Sequence, residues 1–116
     1  MSKRGDKEFV KDIKEAISRI ENYTMQMDFS QFLKDIKTQD AVVRNIEIIG
    51  EAVKNLSKDL RKKHKEVQWK DVAGMRDKII HFYFGIKWEI VWSVIKNNLP
   101  ELKEKIETIL KEIEEK

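Results

Sequence analysis

Apolar side chains recur every three or four residues along almost the whole chain. Phe9, Ile13, Ala16, Ile17, Ile20, Thr24 and Met27 draw a first stripe, and Val42, Val43, Ile46, Ile49, Val53, Leu56 and Leu60 draw a second. Trp88, Val91, Trp92, Ile95 and Leu99 draw another, continued by Leu102, Ile106, Ile109, Leu110 and Ile113. At about 3.6 residues per turn this spacing gathers each set on one face of a helix, whereas a half-buried strand would alternate. Four Gly and one Pro in 116 residues leave few places to turn a strand. The expected fold is therefore all-α, an up-and-down bundle of four to five helices forming one domain over residues 1–116.

Local signals set the expected boundaries. A first helix should run from about Lys7 to Met27 with Asp6 as its cap, followed by a short turn capped by Ser30 that holds Phe32, Leu33 and Ile36. Thr38 is the candidate cap of a long second helix reaching Leu60, in which Gly50 marks a close backbone approach by a neighbour. The basic run Arg61-Lys62-Lys63-His64-Lys65 reads as a loop or frayed turn. A third helix is expected from Trp69 to Phe82 with Gly85 as its permissive terminus. Lys87 to Asn98 forms a fourth, and Pro100 starts a fifth.

Composition narrows the chemistry. Hydrophobic residues at 41% supply a core, so the chain is not intrinsically disordered. The absence of cysteine excludes disulfides, thiolate metal sites and a catalytic thiol, and it permits a reducing compartment, with the cytoplasm as the default. No apolar run approaches the roughly 20 residues that span a bilayer, and Met1 to Asp6 leads into charged sequence without a signal-peptide core. A chain that is neither secreted nor membrane-spanning is expected. Lys and Arg outnumber Asp and Glu by 24 to 21, and the net charge of +3 permits an anionic partner without demanding one. The abundance of Lys and Glu suggests a heat-tolerant source.

The candidate chemistry lies on the third helix. Arg76 falls in the stripe of Trp69, Val72, Ile79 and Ile80, a place where a guanidinium needs a carboxylate, another subunit or a visiting anion. Gly74, Asp77 and His81 form a second line, so Asp77 and His81 are an i, i+4 pair in which the carboxylate can orient the imidazole, and Gly74 leaves room beside them. Arg76 and His81 are not stacked, because five residues turn a helix about 140° past a full circle. A long Arg side chain and a helix end near Gly85 would let them converge. An imidazole as general acid or base, with an Arg fork for developing phosphate charge, suits phosphodiester cleavage in which the RNA 2′-hydroxyl attacks. That reaction needs no metal ion or cofactor. His64 sits among lysines that keep it solvated, so the second proton-transfer group is expected to be His81 of a symmetry-related copy in a twofold homodimer.

The stretch W-K-D-V-A-G-M-R-D-K-I-I-H-F-Y-F-G-I beginning at Trp69, the later V-W and L-P pairs, and I-G-E-A at Ile49 to Ala52 closely resemble the HepT-like branch of the HEPN superfamily. Members share an Arg, then four to six residues, then His, and this branch adds a Tyr two residues on, as Arg76, His81 and Tyr83 do here. The resemblance covers nearly the whole chain. It implies a homodimeric, metal-independent endoribonuclease, the toxin of a type VII-like toxin–antitoxin pair whose antitoxin is a minimal nucleotidyltransferase. It also implies Tyr83 as the site at which that partner attaches AMP, placing phosphate and bulk where RNA must enter. Position 77, Asp here, is Asn in many members.

Each feature has a plainer reading. Arg76 could be a structural ion-pair residue facing Glu47 or Glu51, His81 a helix-end histidine with a backbone partner, and Tyr83 a core residue with its hydroxyl at the rim. Asp77 suits a local orienting role. Arg61, Lys62, Lys63 and Lys65 are candidate RNA contacts or simply a solvated loop. Trp88 and Trp92 continue an apolar stripe, which favours packing over a stacking platform. The alternative function is a non-catalytic bundle that holds a nucleotide or scaffolds the nucleotidyltransferase.

Overall fold

A computed structural model describes residues 4–79 and 85–115, and every described element in it is helical apart from turns. The long helices are α1 (Asp6–Thr24), α3 (Ile36–Lys54) and α8 (Leu99–Glu114). The short ones are α2 (Phe29–Lys34), α4 (Lys58–Lys63), α5 (Trp69–Ala73), α6 (Met75–Ile79) and α7 (Trp88–Ser93). The all-α bundle expected from the stripes is present, with α1 packed against both α3 and α8.

Direction follows from the pairs that cross between helices. Lys14 faces Glu107 while Glu21 accepts a hydrogen bond from Lys103 at 2.8 Å, so α1 and α8 run antiparallel. The start of α1 meets the segment after α3, which makes that pair antiparallel too. Val10, Ile13, Ile17 and Ile20 of α1, Val42 and Ile49 of α3, and Leu99, Ile106 and Ile109 of α8 are all fully buried. Each such side chain stabilises the fold by about 1.5–3 kcal/mol relative to an exposed one.

Helix starts fall elsewhere than expected. The residue before α1 is Gly5, and Asp6 instead accepts from the Ser57 backbone N–H at 2.8 Å and from its hydroxyl at 2.6 Å. Ser57 in turn caps α4 through the Leu60 N–H. Asp28, not Ser30, caps α2, exchanging hydrogen bonds with Gln31 in a capping box. Asp35, not Thr38, caps α3, and Thr38 is the residue whose N–H it accepts. An ionised carboxylate just upstream of a helix accepts the third amide more strongly than a hydroxyl can.

The long second helix ends at Lys54, not Leu60, and Leu60 is buried by the separate helix α4, which reaches into the basic run that had looked like a loop. The third helix is broken at Gly74, which closes α5 with φ −87° and ψ 2°. Residues 80–82, its expected end, lie outside the described residues; Gly85 has φ +112°, the left-handed conformation that glycine alone adopts without strain. Gly50 does mark a close approach: a Cβ there would sit 3.2 Å from the Ala73 carbonyl oxygen.

Pro100 lies in the first turn of α8, as expected, but no loop separates that helix from α7. Residues 88–114 continue as one rod in which Val94–Asn98 form a π-helical turn, and the Leu99 N–H donates to the Val94 carbonyl. Proline within an α-helix lacks a donor and its ring collides with the carbonyl four residues earlier, here that of Lys96. Widening the preceding turn relieves that collision. Trp88 and Trp92 pack rather than form an open platform. The fully buried Phe32 ring meets Trp88 edge-on at 5.7 Å between centroids and Trp92 at 5.2 Å, fastening α2 to α7.

Candidate active site

The break at Gly74 decides where Arg76 goes. In an unbroken helix Arg76 would continue the stripe of Trp69 and Val72, but after the break Met75 takes the buried place and Arg76 turns outward. Its side chain is 49% exposed, so the buried guanidinium expected from the stripe is corrected to a half-exposed one on the wall of a cleft. The cleft, about 510 Å³, lies between the first turns of α1, the second half of α3 and the α5–α6 junction.

The Arg76 Nε donates to Glu47 Oε2 at 3.1 Å, and an Nη lies 3.7 Å from Asp77 Oδ1. Glu47 was one of the two carboxylates the sequence offered as partner. An ion pair this exposed contributes little to stability, and it leaves guanidinium N–H donors directed into solvent. A phosphate entering the cleft can compete with Glu47 for the fork. Asp77 is 81% exposed. His81 and Tyr83 lie outside the described residues, so the Asp77–His81 pair, the convergence of Arg76 with His81 and the place of Tyr83 rest on the sequence.

Three more cations line the same cleft. Arg4 is paired with Asp12 and lies 5.2 Å over the Phe9 ring, Lys54 is 3.8 Å from Glu51, and Arg44 stands nearby. Four cations thus meet four carboxylates, Asp12, Glu47, Glu51 and Asp77. The cleft is balanced in charge, and none of Arg4, Arg44 or Asp12 was singled out from the sequence. Arg4 and Asp12 come from the chain's start and Arg44 from α3, and only packing brings them together.

His64 is not solvated among lysines. It is 8% exposed and terminates α4, with Nδ1 3.0 Å from Glu66 Oε2 and Nε2 3.7 Å from Glu112. The Trp69 indole N–H donates to its carbonyl at 2.9 Å. Enclosure between two carboxylates and an indole gives this histidine a structural role. Glu66 is held below the ordinary carboxylate range, chiefly by a backbone N–H and further by His64 and Lys105, against its partial burial.

The basic run is divided. Arg61, Lys62 and Lys65 line a shallow basin beside Trp69, whereas Lys63 turns to Glu112 at 2.7 Å and does not line it. Among the described residues no group of three or more His, Asp or Glu side chains is placed to hold a metal ion, and no helix is long and apolar enough to cross a membrane.

Arg76 stands at a cleft wall, five residues before the His of an R-x4-H-x-Y run, and comparison with known proteins decides the family. Residues 13–109 match the family described as ribonuclease HepT-like. The chain belongs to the HepT-like ribonuclease family. A candidate RNase of Methanocaldococcus jannaschii is 48% identical over 114 residues, covering 98% of this chain and 94% of that protein. The probable ribonuclease HepT of Thermococcus cleftensis is 47% identical over 109 residues, covering 94% of this chain and 99% of its own. A second M. jannaschii candidate RNase is 44% identical over 116 residues, the full length of both. No solved structure matches the chain significantly. HepT-like membership places the chain among ribonucleases, enzymes that cut RNA phosphodiester bonds.

Proposed function

We propose that this HepT-like chain is the toxin of a type VII-like toxin–antitoxin pair, acting in the cytoplasm as a twofold homodimer that cuts RNA internally without a metal ion. The observation that carries the reading is Arg76, half exposed at the wall of an open cleft with donors unused, in a chain of this family. In the proposed reaction one His81 takes the proton of a ribose 2′-hydroxyl. The 2′-oxygen attacks phosphorus, the bond to the 5′-oxygen breaks, and the second copy's His81 gives that oxygen a proton. The products are a 2′,3′-cyclic phosphate and a 5′-hydroxyl. Arg76 stabilises the charge that grows on the non-bridging oxygens, where a planar fork acts most strongly. Asp77 would orient the imidazole.

Control by a partner minimal nucleotidyltransferase follows from the motif. Transfer of AMP to the Tyr83 hydroxyl would add a phosphate and a purine where RNA must enter and exclude it by charge and bulk. The test is incubation of purified protein with RNA in excess chelator, after intact mass has shown whether an AMP group is attached. Unmodified wild type should release cyclic-phosphate ends and His81→Ala should not.

A non-catalytic reading, a bundle that holds a nucleotide or scaffolds the nucleotidyltransferase, is favoured by one fact: Arg76 already has a partner in Glu47. On that reading unmodified wild type and His81→Ala bind RNA equally and both leave it intact.

A further inference from the structure

The cleft around Arg76 is balanced in charge, so it cannot by its own field hold a polyanion. The adjoining surface is different. A basin of about 500 Å³ between α3, α4 and α5 is lined by Lys54, Lys58, Arg61, Lys62, Lys65 and Lys70 over a floor of Trp69 and Ala73, with no carboxylate in its lining. Among the described residues none of Lys58, Arg61, Lys62, Lys65 and Lys70 has an acidic side chain within ion-pair distance. The Arg61 Nε is enclosed and has no hydrogen-bond partner. Five cations without an acidic partner, joined by Lys54 at the rim, stand around one hollow, repel one another and favour an anion between them.

Basin and cleft share two lining residues, Lys54 and Ala73, so the two hollows adjoin. A ligand that extends from the cleft into the basin meets unpaired cations there, which favours a chain of repeated negative charge. The geometry points to the basin as a flanking subsite for RNA: it grips backbone phosphates a few nucleotides from the linkage that lies at Arg76. This rests on the nuclease reading for the substrate at Arg76, but the basin itself is a phosphate-binding surface whether or not cleavage occurs. Its contacts are to the backbone, so they supply affinity and salt dependence and no sequence preference.

The test uses the full chain carrying His81→Ala, so that RNA survives, with a labelled single-stranded RNA of twelve nucleotides as the probe and anisotropy measured across a salt series. Removing three exposed cations in Lys58→Ala/Lys62→Ala/Lys65→Ala should raise Kd at least tenfold at low salt and flatten the plot of log K against log salt by roughly 2, at about 0.7 per phosphate contact. The matching Lys→Arg triple variant should keep both values, and equal melting temperatures show that folding is intact. Unchanged RNA affinity in the Ala variant overturns the inference. So does unchanged RNA affinity with loss of binding to poly-glutamate, which assigns the basin to an acidic protein instead. Wild type that fails to cleave the same RNA while the basin still sets its affinity counts against the nuclease reading alone. Wild type that cleaves with a KM indifferent to the three lysines counts against the basin alone.

Discussion

Arg76 and Glu47 meet across the α6–α3 contact through one Nε–H···O hydrogen bond of 3.1 Å, with the guanidinium half in solvent and its carboxylate partner a third exposed. The pair is placed where a phosphate can displace the carboxylate, and the two residues should respond oppositely to removal of charge. Glu47→Gln should strengthen RNA binding severalfold at low salt, and it should change folding stability by no more than about 1 kcal/mol. Arg76→Ala should lower kcat for RNA cleavage by about 10²–10³ with a similarly small effect on stability, as expected for a donor aimed at developing charge. Arg76→Lys should not restore the rate, because the planar fork is lost. A large fall in melting temperature for Arg76→Ala with unchanged kcat would mark the pair as structural.

The Gly50–Ala73 contact fixes the distance between α3 and α5, and through the next helix the height of Arg76 above the cleft. At 3.2 Å from a backbone carbonyl, any larger side chain must push α5 away. Gly50→Leu should cost about 1–3 kcal/mol. It should also reduce RNA cleavage in the protein that remains folded, measured below its lowered melting temperature.

Phe32 is fully buried against two indoles and, with Phe29 on Trp92, packs α2 on α7. Phe32→Ala should destabilise by about 3–5 kcal/mol, a large part of a domain's total. Urea titration followed by tryptophan fluorescence reads this, since two of the three tryptophans, Trp88 and Trp92, touch the deleted ring.

Asp35 gives a pH signature. Its carboxyl is held below the ordinary 3.8 chiefly by the Thr38 backbone N–H, then by the Thr38 side chain. A folded pKa below the unfolded one means that the contribution is present above 3.8 and disappears as pH falls through the lower, folded value. The melting temperature of wild type relative to Asp35→Asn should therefore be constant near neutrality and decline on acidification below about pH 4. A difference that is flat down to about pH 2.5 would contradict the cap.

The stripes made the helical class legible because burial follows the 3.6-residue period whatever the caps are. The caps differ from Ser30 and Thr38 because an aspartate two or three residues upstream starts each helix earlier, accepting the Gln31 and Thr38 amides, and where the helix starts depends on the backbone conformation before it. Gly74 showed as an open place on a helix, and its actual effect, breaking the helix and exchanging Arg76 for Met75 in the core, is tertiary. The motif itself was readable as Arg76, His81 and Tyr83. The basin was only half readable: Lys58, Arg61, Lys62 and Lys65 recur at i, i+3, i+4 and i+7, a spacing that the density of the Arg61–Lys65 run obscured, and Lys54 and Lys70 join them only through packing.

The π turn before Pro100 sets how the two ends of the C-terminal rod are wound relative to each other. A proline at that position forbids the tighter winding, so the indoles upstream and the leucines and isoleucines downstream keep one angular offset. With Pro100→Ala that prohibition lifts, and an α-helical turn in its place would rotate one half of the rod against the other by up to a residue's step of about 100°. Because Trp88 and Trp92 are clamped on Phe32 at one end and α8 on α1 at the other, the twist has nowhere to dissipate, and loss of the near-ultraviolet tryptophan signal would report it. The single proline of this chain thus acts as a torsional lock between the aromatic clasp and the central helix pair.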